Sequence, residues 1–194
     1  MSMSLNPLNA ISPIDGRYAA KTQELQSIFS EYGLMKYRLL VECAWLKALA
    51  ACDGISEVPS LSATASSYLD KLIDNFDQEA AIRIKDIEQK TNHDVKACEY
   101  YLKEQLAANS ELAALKEFVH FALTSEDVNN LSYALMLKAA RDDVLVNHMQ
   151  AIENQMQQFA HAQAELSMLA RTHGQAASPT TVGKEFAIFF QRLQ

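Results

Sequence analysis

Residues 169–179 read LARTHGQAASP and set a histidine between a threonine and a glycine, in a chain otherwise written mostly in helical periods. Imidazole is the side chain whose proton moves most readily near neutral pH, so His173 in a polar turn is a candidate acid or base. An ordinary interhelix connection is the competing reading, and the residues alone leave both open. The other histidines separate by context. His93 stands at a helix entry in TNHD, beside other hydrogen-bonding residues. His120 lies in the apolar run EFVHFAL, where a hydrogen-bonded packing role fits better. His148 and His161 fall off the apolar stripe of their helix and are expected to be solvated.

Three segments have the composition of helix starts: NHD at 92–94, TSED at 124–127 and ASPTT at 177–181. The first backbone N–H groups of a helix lack intrahelical partners, and hydroxyl or amide side chains beside them suit phosphate or carboxylate. Capping alone accounts for any one of the three. Brought together, they would suit a ligand with several anionic groups, with Arg17, His93, Lys96, Arg171 and Lys184 supplying positive charge. Locally, Asn92 is expected to cap a helix that has Asp94 in its first turn. Thr124 is expected to open a capping box closed by Asp127, and Ser178 with Pro179 to open the last helix.

The elements that must position these residues read as helices. Leu34, Tyr37, Val41, Ala44, Trp45, Ala48 and Leu49 fall three and four apart, the mark of one buried stripe between Ser30 and Cys52. Two further helical segments run roughly over 62–76 and 77–90, and another over 112–123. A long helix starts after TSED; its stripe breaks near Lys138 and Asp142 and resumes as Leu145, Met149, Ile152, Met156, Phe159, Gln163 and Leu166. Packing inside one domain and a coiled-coil seam both fit that spacing. Val182, Phe186, Phe189, Phe190 and Leu193 form a final apolar face, which calls for a partner or docks on its own domain.

The chain has 194 residues, 49% hydrophobic, with only 5 Gly and 4 Pro, the composition of a globular protein with long helices. Its net charge of −7 argues against a nucleic-acid surface, which needs clustered Lys and Arg. Cys43, Cys52 and Cys98 lack the close pairing of a zinc or redox site and fit a reducing compartment. MSMSLNPLNA has neither the basic segment nor the apolar run of a signal peptide, so a cytoplasmic protein without membrane contact is expected. The motifs GxxxxGK[ST], GxGxxG, HExxH and GxSxG do not occur, which leaves nucleotide hydrolysis, zinc proteolysis and serine-esterase chemistry without support.

The series SPIDGRY (12–18), TNHDVKA (91–97), HFALTSEDVNN (120–130) and RTHGQAASPTTVGKE (171–185) resembles, in order, the amino-terminal part of the bacterial adenylosuccinate lyase family, within the fumarase and aspartase superfamily. RTHGQ and TSxD are shared in looser form across the superfamily; NHDVKA joined to TSED is more specific. The resemblance implies an all-α fold, with an amino-terminal helical domain over 1–124 and the start of a long-helix bundle over 125–194. It implies a metal-free, cofactor-free β-elimination releasing fumarate from adenylosuccinate and from the succinylated imidazole-carboxamide ribotide of purine synthesis. His173 resembles the general acid. Arg17, Tyr18, Asn92, His93 and Asp94 resemble substrate-binding residues, Thr124 and Ser125 the pair that holds the succinyl portion, and Thr172 and Gln175 flank the acid. The family acts as a homotetramer whose sites combine several chains. Its serine base lies in a GSSxMPxKxN segment that does not occur in these 194 residues, so the chain is expected to be the front part of a longer enzyme and inactive alone. Another fumarate-releasing lyase, or a helical assembly fragment without catalysis, are the alternatives.

Overall fold

The computed structural model describes residues 8–194; the expectations resting on residues 1–7, including most of the leader reading, lie outside them. The chain forms two compact units, Met1–Ala139 and Ala140–Gln194.

In the first unit, α1 (Gln26–Phe29) is followed by α2 (Glu31–Ala50), α3 (Ala63–Asp74), α4 (Gln78–Thr91), α5 (Asp94–Ala107), a 3-10 segment (Leu112–Phe118) and α6 (Ser125–Ala139). Short polar side chains set most of these starts. Ser30 Oγ accepts from Gly33 N at 3.2 Å, Ser62 Oγ from Ala65 N at 3.1 Å and Asp77 Oδ1 from Ala80 N at 2.9 Å, each satisfying an orphan donor of the first turn. Around α2 the core gathers Leu39, Cys43 and Leu46 with Leu69, Ile84, Leu102, Leu106 and Leu112.

The stripe expected on α2 is the buried face only in part: Val41 and Leu49 are buried, and Leu34, Tyr37 and Trp45 are half-buried. Ala44 and Ala48 are exposed, whereas Met35, Leu39, Glu42, Cys43, Leu46 and Ala50 are buried. This helix is apolar nearly all round, so periodicity cannot fix its whole inner face and the neighbouring helices complete it. Leu40, Ala44, Trp45 and Ala48 instead line an apolar groove of ≈ 750 Å³ with Leu131, Ala134 and Leu135 of α6.

In the second unit a π-helical segment (Ala140–Leu145) precedes α7 (Val146–Ala162) and α8 (Val182–Leu193). The wider π turn shifts the angular phase of the side chains, which is why the apolar stripe breaks near Lys138 and Asp142. Between α7 and α8 the chain makes a small antiparallel ribbon. Strand β1 (Ser167–Met168) pairs with β4 (Thr180–Thr181), and β2 (Arg171–Thr172) with β3 (Gln175–Ala176). The two ladders are a minor departure within an all-α protein. The start expected at Ser178 and Pro179 is displaced because Thr180 and Thr181 belong to a strand; α8 begins at Val182, with Thr181 Oγ1 accepting from Lys184 N at 3.1 Å. α8 lies against α7 at Gly183, where a Cβ would meet the Ala160 carbonyl and come within 2.7 Å of Ala164, and the Phe159 and Phe186 rings are 4.5 Å apart.

Candidate active site

Two of the helix starts singled out above meet in one open cleft of ≈ 560 Å³, lined by Thr91, His93, Lys96, Glu99, Tyr100, His120, Thr124 and Ser125, with Val95 at its apolar wall. His93 is itself the N-cap of α5: its backbone is extended and its Nδ1 accepts from Lys96 N at 3.3 Å. Asn92, expected in that role, closes α4 in the left-handed conformation (φ 52°), its N–H donating to Glu88 O. A left-handed Asn at a helix end needs no glycine, and ending α4 there sets α5 off in a new direction. Asp94 lies in the first turn of α5 as expected, where it accepts from Arg38 Nη2 at 2.6 Å. Arg38 is buried and also donates to Asn129 on α6 at 3.0 Å, so one guanidinium ties α2 to the starts of α5 and α6.

The second wall is the turn 119–124 and the start of α6. Thr124 donates to Asp127 through both its N–H and its hydroxyl, each at 2.8 Å, which is one half of the capping box expected there: the carboxylate reaches back to the Thr124 N–H, but the hydroxyl donates to it as well. Those bonds hold the Asp127 carboxyl below the usual carboxylate range. An anion arriving here meets Ser125 directly and competes with Asp127 for Thr124. His120 (φ 63°) and Ala122 (φ 58°) both adopt left-handed backbone, which non-glycine residues rarely do. Two α2 side chains hold the turn: Glu42 accepts from His120 N at 3.0 Å, and Trp45 Nε1 donates to Phe121 O at 2.8 Å.

The charge in the cleft is arranged around two carboxylates. Glu99 has a buried side chain, and burial works against its ionisation, but Lys96 at 2.7 Å and Lys103 at 3.0 Å outweigh that and hold it below its ordinary value. Glu42 is 1% exposed, and its carboxyl is pushed up by burial against the opposing pull of His120, whose Nδ1 lies 2.5 Å from Glu42 Oε1. Lys96 Nζ also sits 5.5 Å from the centre of the Tyr100 ring.

The remaining candidates lie elsewhere in the chain. Arg17 and Tyr18 stack on each other at 5.5 Å and are exposed, in a turn that Gly16 N→Ser12 O and Tyr18 N→Pro13 O hold. Thr172, His173 and Gln175 belong to the second unit. There Thr172 pairs with Gln175, and His173 (φ 50°) with Gly174 (φ 76°) makes the two-residue tip of the ribbon. Two successive positive φ angles are the signature of a type I′ hairpin, whose twist matches its strands. All three side chains are exposed.

The cleft also contains what the motif reading passed over. His120 had been assigned to packing, and it does pair with a buried group, but its ring borders the cleft. Arg38 and Glu42 were legible as a candidate pair: charges four residues apart flanking the apolar run 39–41 are buried only with partners.

Comparison with known proteins gives the family and the fold. The family described as Lyase matches residues 16–194. Adenylosuccinate lyase from Vibrio cholerae is 53% identical over 192 residues, and that from Escherichia coli K12 is 51% identical over the same length. In each case the match covers 99% of this chain and 42% of the relative, so the chain spans less than half the length of those relatives. In fold it is similar to a fumarate lyase from Mesorhizobium sp. BNC1, with a TM-score of 0.66 at 18% identity over 88% of this chain and 37% of that one. It is also similar to 3-carboxy-cis,cis-muconate lactonizing enzyme from Pseudomonas putida, with a TM-score of 0.64 at 22% identity over 89% and 39%. With a match along nearly its whole length, the chain belongs to the Lyase family.

Proposed function

We propose that this chain carries the substrate-binding and general-acid part of an adenylosuccinate lyase. In that reaction a base takes the proton from the carbon beside a carboxylate. The carbon–nitrogen bond then breaks and leaves fumarate, and His173 returns a proton to the departing nitrogen to give AMP. The succinylated imidazole-carboxamide ribotide is cleaved in the same way. The observation that carries the reading is the cleft in which His93, Lys96, Thr124 and Ser125 converge from two helix starts. The substrate's phosphate and two carboxylates need several such donors, and donors help most as charge grows on a carboxylate in the transition state.

Arg17 and Tyr18, with Asn92 and Asp94, complete the binding set in this proposal, and Thr172 and Gln175 flank the acid. The assembled enzyme is a cytoplasmic homotetramer, in which the exposed faces of α7 and α8 meet other copies. The 194 residues alone release no fumarate above background, because the serine base of the family does not occur among them. Titration calorimetry of this chain with AMP, adenylosuccinate and argininosuccinate tests the reading. Heat is expected with the first two and not the third, and Ser125→Ala should weaken it. Silence towards both nucleotides would sink the proposal in favour of an assembly role.

A further inference from the structure

Two imidazoles border the cleft, and their inner nitrogens face opposite partners. His93 Nδ1 lies 3.3 Å from the backbone N of Lys96, within hydrogen-bond reach, and 3.6 Å from Asp94 Oδ1, beyond it. A backbone N–H can only donate, so this Nδ1 carries a lone pair and the single proton of the neutral ring sits on Nε2. His120 Nδ1 faces Glu42 Oε1 at 2.5 Å, while Glu42 Oε2 already accepts from His120 N. A neutral carboxyl would also meet both contacts, accepting at Oε2 and donating from Oε1, so the assignment rests on imidazole being the stronger base of the two, which leaves Glu42 ionised and the shared proton on the ring. His120 therefore carries it on Nδ1.

We propose that the cleft holds its two histidines in opposite tautomers, His93 offering an Nε2–H donor and His120 an Nε2 acceptor, and that buried Glu42 is the positioning residue that sets the second. Glu42 touches no ligand in this assignment. It acts through His120, by locking the ring's protonation and by holding the left-handed backbone that turns it to the cleft. A ligand seated across the pair presents an anionic oxygen to His93 and an O–H or N–H to His120. Matching both at once fixes which way round it binds. The chemical identity of that ligand rests on the function proposed above; the tautomers do not.

Long-range 1H–15N correlation spectra of the 194-residue protein at mildly alkaline pH read each ring nitrogen directly. The expected pattern has His93 with a bare Nδ1 and a protonated Nε2, and His120 with the reverse. Finding both rings protonated on Nε2 overturns the proposal. In Glu42→Gln, the amide oxygen stays with His120 N and the NH2 group turns to Nδ1, so His120 switches to the Nε2–H form while His93 keeps its pattern. An unchanged His120 in the folded variant also overturns it. If Glu42→Gln does not fold, the spectrum of the unsubstituted protein decides alone. The variant should weaken adenylosuccinate binding by roughly tenfold, the equivalent of one hydrogen bond. Tautomers as assigned with no nucleotide bound would tell against the function and for this inference.

Discussion

At the scale of single residues, His173 and Asp94 give the sharpest expectations. His173 occupies a left-handed turn position, so alanine would disturb the hairpin as well as remove the acid proposed for it. Asparagine is at ease in that backbone and cannot donate a proton at nitrogen, which makes His173→Asn the cleaner substitution. Under the proposed function it should lower kcat of the assembled lyase by ~10²–10⁴-fold, the span of general acid catalysis, with little change in substrate affinity; fumarate release against substrate concentration separates the two. Asp94 makes a different point. Burial opposes its charge, but the Arg38 guanidinium and the N–H groups of Val95 and Asp94 win, and its pKa lies below the ordinary carboxylate value. A carboxyl with a depressed folded pKa contributes stability that is complete above its unfolded value of about 4 and is lost as pH falls through the folded one. Glu99 has the same sign. Glu42, raised by burial, has the opposite one: its contribution is present at low pH and is lost as pH rises through its folded value. Thermal unfolding followed from neutral pH into acid should therefore show Asp94→Asn with a shallower acid limb than the parent. A variant limb as steep as the parent's would remove Asp94 from the account.

At the scale of elements, two glycines bear the geometry of the second unit. Gly183 allows α8 to lie against α7, and a methyl group there meets the Ala160 carbonyl and the Ala164 backbone. Backbone cannot rotate away as a side chain can, so Gly183→Ala should cost at least ~1–3 kcal/mol, the usual range for overpacking, and should expose the α7–α8 pair to limited proteolysis. Gly174 has nothing within 4 Å of its missing Cβ, but its φ is 76°. There the penalty is conformational rather than steric, and Gly174→Ala should cost about 1–2 kcal/mol. Calorimetric unfolding of the two variants distinguishes the causes, since only the first should also loosen the contact between the Phe159 and Phe186 rings.

Across the whole molecule, the balance of apolar surface differs between the two units. The first has a closed core, whereas α7 buries none of its side chains and leaves Met149 41%, Ile152 45% and Phe159 42% exposed. Phe189 on α8 is 55% exposed. Apolar stripes of this kind call for a covering surface, and under the proposed function other copies supply it. Sedimentation equilibrium of the chain should then show mass rising with concentration, and Ile152→Lys with Phe189→Lys should return it towards the monomer. A mass that is constant across concentration would count against copies of the chain as that cover.

What the sequence determined by itself was local: the helical stretches near 30–52, 62–76 and 77–90, the pairing of Thr124 with Asp127, and the order of helices follow from side chains within a few residues of one another. His93, Lys96, Thr124 and Ser125 of the cleft were named from motifs, and two of the three helix starts do converge, whereas His120, Glu99 and Tyr100 were not singled out for it. Tertiary structure decided how the inner face of α2 is completed: Val41 and Leu49 of the expected stripe are buried, but neighbouring helices draw in Met35, Leu39, Cys43 and Leu46 and leave Ala44 and Ala48 outside. It also made Asn92 an ending rather than a beginning, and it brought Glu42 to His120 across 78 positions of chain. Residues so far apart carry no mark of each other in a single sequence, since the contact exists only once the chain has folded.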